Sequence, residues 1–274
     1  MPLDLAYKAG LAGHAPVNKL RTRDTDTPAC RNAGTSACRR GHVIFEIILR
    51  IYMAKKGKMV IACATVIEEM LPLLPPDVGH RTLDFGLHID PEKLRHALQE
   101  AIDTSSNEAE TIILGYGLCS KGVLGIRATD CTLVVPRVDD CIAIFLGSYS
   151  AYRQQSRSEP GTYYLTKGWI EVGGTPFTEY ERMVATRGPK LAKQLTRLML
   201  KNYKRLALIN TGQHELERYR NYARRTAKRF GLRYEEIEGS TVLVKKMVNG
   251  PWDDEFIVVP PGQVIQFEHF FPEE

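Results

Sequence analysis

Cys63, Cys119 and Cys141 are the residues of this 274-residue chain best placed by type and spacing to do chemistry. Each follows or closes a short apolar run that reads as a β-strand, namely "MVIACATV" at 59–66, "TIILGYGL" at 111–118 and "CTLVVP" at 131–136. In open parallel sheets, ligands collect at the carboxyl ends of strands. The three sulfurs are therefore expected on one sheet edge, while Cys131 starts its strand and belongs at the opposite edge. Cys141 falls in the first turn of the next helix, where the macrodipole favours the thiolate, the form that binds metal. Three converging thiolates repel one another unless a cation neutralises them. Zinc and an iron–sulfur cluster both suit such ligands. Three protein ligands also leave an open position, as Lewis-acid chemistry requires. A metal-free thiol enzyme with Cys119 or Cys141 as nucleophile is a second reading, and buried cysteines filling a core are the plain structural alternative.

The stretch "ILGYGLCSKG" at 113–122 holds three glycines, a cysteine and a lysine straight after an apolar run. A phosphate loop needs G-x-x-x-x-G-K-[ST]. Gly117 and Gly122 have the right gap, but Val123 and Leu124 follow, and Lys121 comes one place too early. A dinucleotide fingerprint needs G-x-G-x-x-G. Gly115 and Gly117 open it, but Ser120 stands at the third glycine position. What stays open is a generic anion nest with a cofactor approaching the backbone at Gly115, Gly117 and Gly122, and at Gly212 in the later "INTG".

Around these positions lie further candidates. Arg137, Asp139 and Asp140 flank Cys141 and can act as a charge clamp or acid/base pair, or simply cap a helix. Glu68 follows the first strand, beside Glu69, and is a candidate base, although carboxylates in a first helical turn also answer the dipole. Tyr163, Tyr164, Lys167 and Trp169 are placed to close over a ligand or to pin their own segment. His214 follows a later strand. The segment 187–233 carries fourteen Lys and Arg against Glu215 and Glu217. It offers a surface for RNA or an anionic cofactor tail, but no RNA-binding signature accompanies it, and two amphipathic helices with solvated faces explain it as well.

The elements that must position these residues alternate. Helices are expected at 67–74, 91–103, 139–147, 189–203, 214–231 and 240–250. Strands are expected at 59–66, 81–88, 111–118, 131–136, 205–212, 232–239 and 255–265. Asp90 followed by Pro91 is a strong helix start. This alternation predicts an α/β fold of two Rossmann-like lobes, about 53–148 and 180–274, with mainly parallel sheets covered by helices. Residues 149–179 read as a long loop between them, of the kind that forms a lid. Residues 1–52 are polar and aperiodic and read as a disordered or mis-annotated extension, with Met53 as the natural start. Cys30 and Cys38 within it have a poor zinc spacing.

Composition adds little bias. The hydrophobic share is 43%, the charged share 25% and the net charge +5, an ordinary balance for a globular protein that permits an anionic partner without requiring one. The apolar run at 43–52 is broken by Glu46 and Arg50 and is too short to span a bilayer. Without a secretory signal, the cytoplasm is the expected address, where six cysteines favour metal or chemistry over disulfides.

On "ACATVIEEM", "LGYGLCSKGVLGIRA", "LVVPRVDDCIAIFLGS", "PGTYYLTKGWIE", "INTG" and "VVPPGQVI", the chain resembles the DUF1638 family over residues 59–265. The family is a domain of unknown function common in anaerobic bacteria and archaea. The resemblance implies one-carbon metabolism near corrinoid methyltransferases as a context, with a corrinoid protein as a partner. It also implies a His where this chain has Asp139. Together these readings give a metal-dependent transferase or lyase acting on a small molecule through Cys63, Cys119 and Cys141. A non-catalytic module binding a corrinoid protein or RNA is the alternative.

Overall fold

The computed structural model describes residues 57–172, 174–212 and 215–271. The extension at 1–52, with Cys30 and Cys38, and His214 lie outside the described residues. In chain order the strands are β1 (Lys58–Cys63), β2 (Gly79–Leu83), β3 (Thr111–Gly115), β4 (Thr132–Pro136), β5 (Thr162–Leu165), β6 (Arg205–Asn210), β7 (Arg233–Glu238) and β8 (Phe256–Val259). The helices are α1 (Ala64–Met70), α2 (Pro91–Ser105), α3 (Cys141–Leu146), α4 (Tyr149–Ser158), α5 (Lys167–Val172), α6 (Pro176–Arg187), α7 (Pro189–Met199), α8 (Leu216–Phe230) and α9 (Val242–Asn249).

Five strands form the larger sheet in the order β2-β1-β3-β4-β8, all parallel except β8, which pairs antiparallel with β4. Its inner strands are apolar at successive positions because both faces are covered. Side chains alternate between the faces. Ile61, Ile112, Leu114, Leu133 and Val135 pack against Leu94, Leu98, Ala101 and Ile102 of α2. Val60, Ala62, Ile113 and Val134 pack against α1, α3 and α9. The α2 stripe recurs at helical spacing, and Asp90 caps the helix by accepting from Lys93 N at 3.3 Å, with Pro91 in the first turn.

The smaller sheet holds β5-β6-β7, all parallel. Ala207, Ile209 and Ile237 join the core around α3, while Leu165, Leu206 and Leu208 pack against α6 and α8. Arg205, 2% exposed, holds this sheet together. It donates to Thr162 Oγ1 (2.7 Å), Gln155 Oε1 (2.9 Å) and Glu235 Oε2 (3.2 Å), so its buried charge is fully engaged.

The chain is thus a mixed α/β protein with a mainly parallel five-stranded sheet flanked by helices. Two expectations need correction. The stretch 149–179 is not a loop, because it carries α4, β5, α5 and the start of α6. Its alternating Tyr, Ser and Gly hid the pattern, yet Ser148 and Thr175 cap α4 and α6 through side-chain acceptors. The last strand also does not complete a second lobe. It ends at Val259, before two prolines, and returns to the larger sheet beside β4. Among the described residues, no helix is long and apolar enough to cross a membrane.

Candidate functional site

Each parallel strand of the larger sheet delivers a polar or sulfur-bearing residue at its carboxyl end. Cys63 is the last residue of β1 and the N-cap of α1. Asp84 follows β2, Tyr116 follows β3, and Asp139, Asp140 and Cys141 follow β4. Cys63, Cys119 and Cys141 all line one cavity of about 300 Å³, whose apolar walls include Phe85, Ile142 and Trp169. Cys131 does not reach it, being 1% exposed in the core at the start of its strand.

The glycine loop answers its own question through its backbone. Leu118 N donates to Val138 O (2.8 Å) and Cys119 N to Asp139 O (3.0 Å), while Lys121 N and Gly122 N close short turns onto Leu118 O and Cys119 O. Those N–H groups are already engaged within the protein, so no anion nest is formed there. The same bonds tie the turn after β3 to the turn after β4 and bring Cys119 to the cavity that holds Cys141. The contact is close. A Cβ on Gly117 would meet Val138 O at 2.5 Å, and one on Gly122 would meet Leu94 Cδ2 at 2.6 Å. These two glycines admit neighbouring chain and not a cofactor. Gly115 does line the cavity, whereas Gly212 lies in a separate hollow at the end of the smaller sheet. Within the turn, Cys119 and Lys121 have φ of 42° and 71°. Such values cost a non-glycine residue about 1–3 kcal/mol each and cluster at functional sites.

The electrostatics run against free thiolates. Burial raises the pKa of Cys63, Cys119 and Cys141, and the other cysteines and Asp140 raise Cys119 and Cys141 further. The helix-terminus effect expected to favour the thiolate is outweighed by lost hydration. Asp140 is raised too, first by burial and then by Asp139, although its Oδ1 caps α3 by accepting from Ile142 N (2.8 Å). A lone nucleophile would need the opposite shift. Among the described residues, no three His, Cys, Asp or Glu side chains already stand as a ligand set for a metal ion. Cys63 Sγ instead lies 2.9 Å from Thr65 Oγ1.

Two polar atoms on this wall have no partner among the described residues. Tyr116 is 3% exposed, yet its hydroxyl makes no hydrogen bond, and Trp169 Nε1 is buried without an acceptor. The indole is near enough to Cys141 to favour its thiolate, but it does not reach hydrogen-bond geometry. Trp169 reaches the cavity because Gly168 lies directly on the backbone of Thr65, where a Cβ would come within 2.7 Å of Thr65 O.

Other sequence candidates fall elsewhere. Arg137 turns to Phe256 O (3.3 Å), away from the thiols and toward β8. Glu68 pairs with Lys167 at 2.7 Å and Glu69 accepts from Thr211 at 2.7 Å, so both join α1 to the second half of the chain. Tyr163 packs edge-on against Phe177 and Tyr203. In the basic segment, Arg218, Arg220, Arg229 and Arg233 pair with Glu171, Glu236, Glu181 and Glu159. These partners are remote in sequence, which is why the run looked almost unopposed.

The family described as Protein of unknown function (DUF1638) matches residues 82–248, more than half of the chain. The chain belongs to the DUF1638 family. No curated protein and no solved structure matches it. The DUF1638 match takes in Tyr116, Cys119, Asp140, Cys141 and Trp169, while Cys63 precedes it. Sequence reasoning missed Tyr116 and Asp84 as cavity residues. The signal was available, since the rule applied to β1, β3 and β4 also holds for the end of β2, and Tyr116 stands between two glycines of the loop.

Proposed function

We propose that this DUF1638 protein is a metal-dependent enzyme whose centre, an iron–sulfur cluster or a zinc ion, is held by Cys63, Cys119 and Cys141. One observation carries the reading: three thiols from three separate strand ends line a single cavity, at a place where each is costly to ionise alone. A bound cation reverses that cost, because its attraction to each thiolate ligand outweighs the repulsion between them. The donor set is soft and fits zinc or iron–sulfur better than magnesium or calcium. Ligation requires Cys63 to turn from Thr65 toward the other two sulfurs. Such a centre supplies Lewis-acid polarisation at its open position. The chain's own contribution is to exclude water with Phe85, Ile142 and Trp169 and to fix Cys119 through the Val138 and Asp139 carbonyls.

Anaerobic reconstitution with zinc, or with iron and sulfide, followed by metal analysis and an absorption spectrum tests this. One centre per chain is expected. It should be lost in Cys63→Ala, Cys119→Ala and Cys141→Ala and kept in Cys131→Ala. Folded protein that takes up no metal, or equal uptake by all four variants, would overturn the reading.

A further inference from the structure

The unpartnered donors on the cavity wall define the other half of the site. Leaving a buried hydroxyl or N–H without an acceptor costs about 1–3 kcal/mol, so native proteins rarely do so without cause. Tyr116 and Trp169 line the same cavity, and Tyr116 Oη and Trp169 Nε1 are each buried without an acceptor among the described residues. Three of the other polar side chains on the lining are already engaged. Asp84 Oδ1 accepts from Gly86 N at 2.8 Å, Asp140 caps α3, and His88 Nδ1 is held by Phe85 O. Among the described residues, no Lys or Arg lines the cavity, whereas Asp84, Asp139 and Asp140 do. A multiply charged anion would meet carboxylates without a compensating cation, which excludes phosphate esters and nucleotides as ligands. At about 300 Å³ the space lies at the small end of ligand pockets, and its exposed lining is mostly apolar.

We infer that the cavity takes a small, uncharged carbonyl compound with a short apolar body, its oxygen accepting from Tyr116 Oη and Trp169 Nε1. This rests on the site proposed above, since it assigns the substrate side of the same cavity. Donors of this kind polarise a carbonyl oxygen and hold it at a fixed place beside the sulfurs. Both are neutral, so the site selects an acceptor without attracting anions. Trp169 arrives on α5 and Tyr116 on the turn after β3, so binding draws on both halves of the chain.

The test is an NMR titration of the full-length, reduced, metal-free protein labelled with ¹⁵N, with acetamide, acetate and inorganic phosphate as probes. The chain has two tryptophans, so the indole N–H region is simple. Trp252 Nε1 already donates to Met247 O at 2.9 Å and serves as the internal control. Acetamide is expected to move the Trp169 indole signal downfield in a saturable way and leave that of Trp252 in place. Phosphate is expected to move neither. Tyr116→Phe should weaken acetamide binding by about fivefold or more while leaving the rest of the spectrum native. No saturable shift with acetamide, a shift with acetate or phosphate alone, or equal affinity in Tyr116→Phe would overturn the inference. Because no metal is added, failure here is separate from failure of metal uptake in the preceding experiment.

Discussion

The two sheets end in hollows at the same topological place, the carboxyl ends of their parallel strands, and they could hardly be more different in their polar groups. At the end of the smaller sheet, Asn210, Thr211, Gly212, Glu236 and Glu238 surround a space of about 410 Å³. Here several of the polar groups bond to one another. Asn210 Nδ2 donates to Glu236 Oε1 (3.1 Å), Gly212 N to Asn210 Oδ1 (2.9 Å), and Arg220 Nε to Glu236 Oε2 (2.6 Å). At the end of the larger sheet the space is smaller, about 300 Å³, yet it holds three thiols kept neutral by burial and two donors with no acceptor. Volume therefore does not identify the site. The unpartnered donors favour the larger sheet's edge for the proposed ligand, whereas the other edge works as a joint, since Thr211 reaches across to Glu69 of α1.

The sharpest way to break this contrast is pH. Metal binding by three thiols releases up to three protons, so the apparent affinity should rise by up to about a thousandfold per pH unit below the thiol range. That is roughly 4 kcal/mol per unit. A chelator competition series from pH 6 to pH 8 measures the slope. A slope near one proton would leave only a single cysteine as ligand. Next in size is Gly117→Ala. Its methyl would meet Val138 O at 2.5 Å and Asp140 N at 3.0 Å, both backbone atoms. Forcing the two turns apart should cost about 3 kcal/mol in urea unfolding and abolish metal uptake. Gly212→Ala at the other edge has nothing within 4 Å and pays only for its φ of 76°, about 1 kcal/mol, with uptake unchanged. Equal losses in both variants would erase the distinction between the edges.

How much of this was legible in the sequence follows the same line. The buried strands, the capped α2 and the carboxyl-edge placement of Cys63, Cys119 and Cys141 were readable, because each depends on local pattern and one rule of parallel sheets. The exclusion of phosphate and dinucleotide motifs at 113–122 was readable from residue identity. What sequence did not reveal depends on contacts between distant segments. β5 is four residues long and sits among Tyr and Ser that make no clear period, so only its pairing with β6 defines it. The alternation of strands and helices placed β8 in a second lobe, whereas it lies directly beside β4 in the larger sheet. Glu68 looked like a base because its partner Lys167 is 99 residues away. The unpartnered state of Tyr116 and Trp169 is likewise a fact about neighbours.

The smallest effect tests the joint itself. Glu236 is held below its ordinary value of 4.5, chiefly by its hydrogen bonds from Arg220. A carboxyl with a lowered folded-state value stabilises the fold above the unfolded value, and that contribution disappears as pH falls through the folded value. Glu236→Gln should therefore cost about 1 kcal/mol or less at pH 7, since the pair is only partly buried, and nothing once the wild-type carboxyl is protonated. Urea midpoints of the two proteins, compared from pH 7 downward, should converge as pH falls through the lowered folded-state value of Glu236. Metal uptake at pH 7 should be the same in both, because the network around Glu236 is closed on itself and touches no cavity thiol. If Glu236→Gln also lost the metal, the two edges would be energetically one site, and Thr211, which bonds to Glu69 in the helix that Cys63 caps, would be the connection to examine.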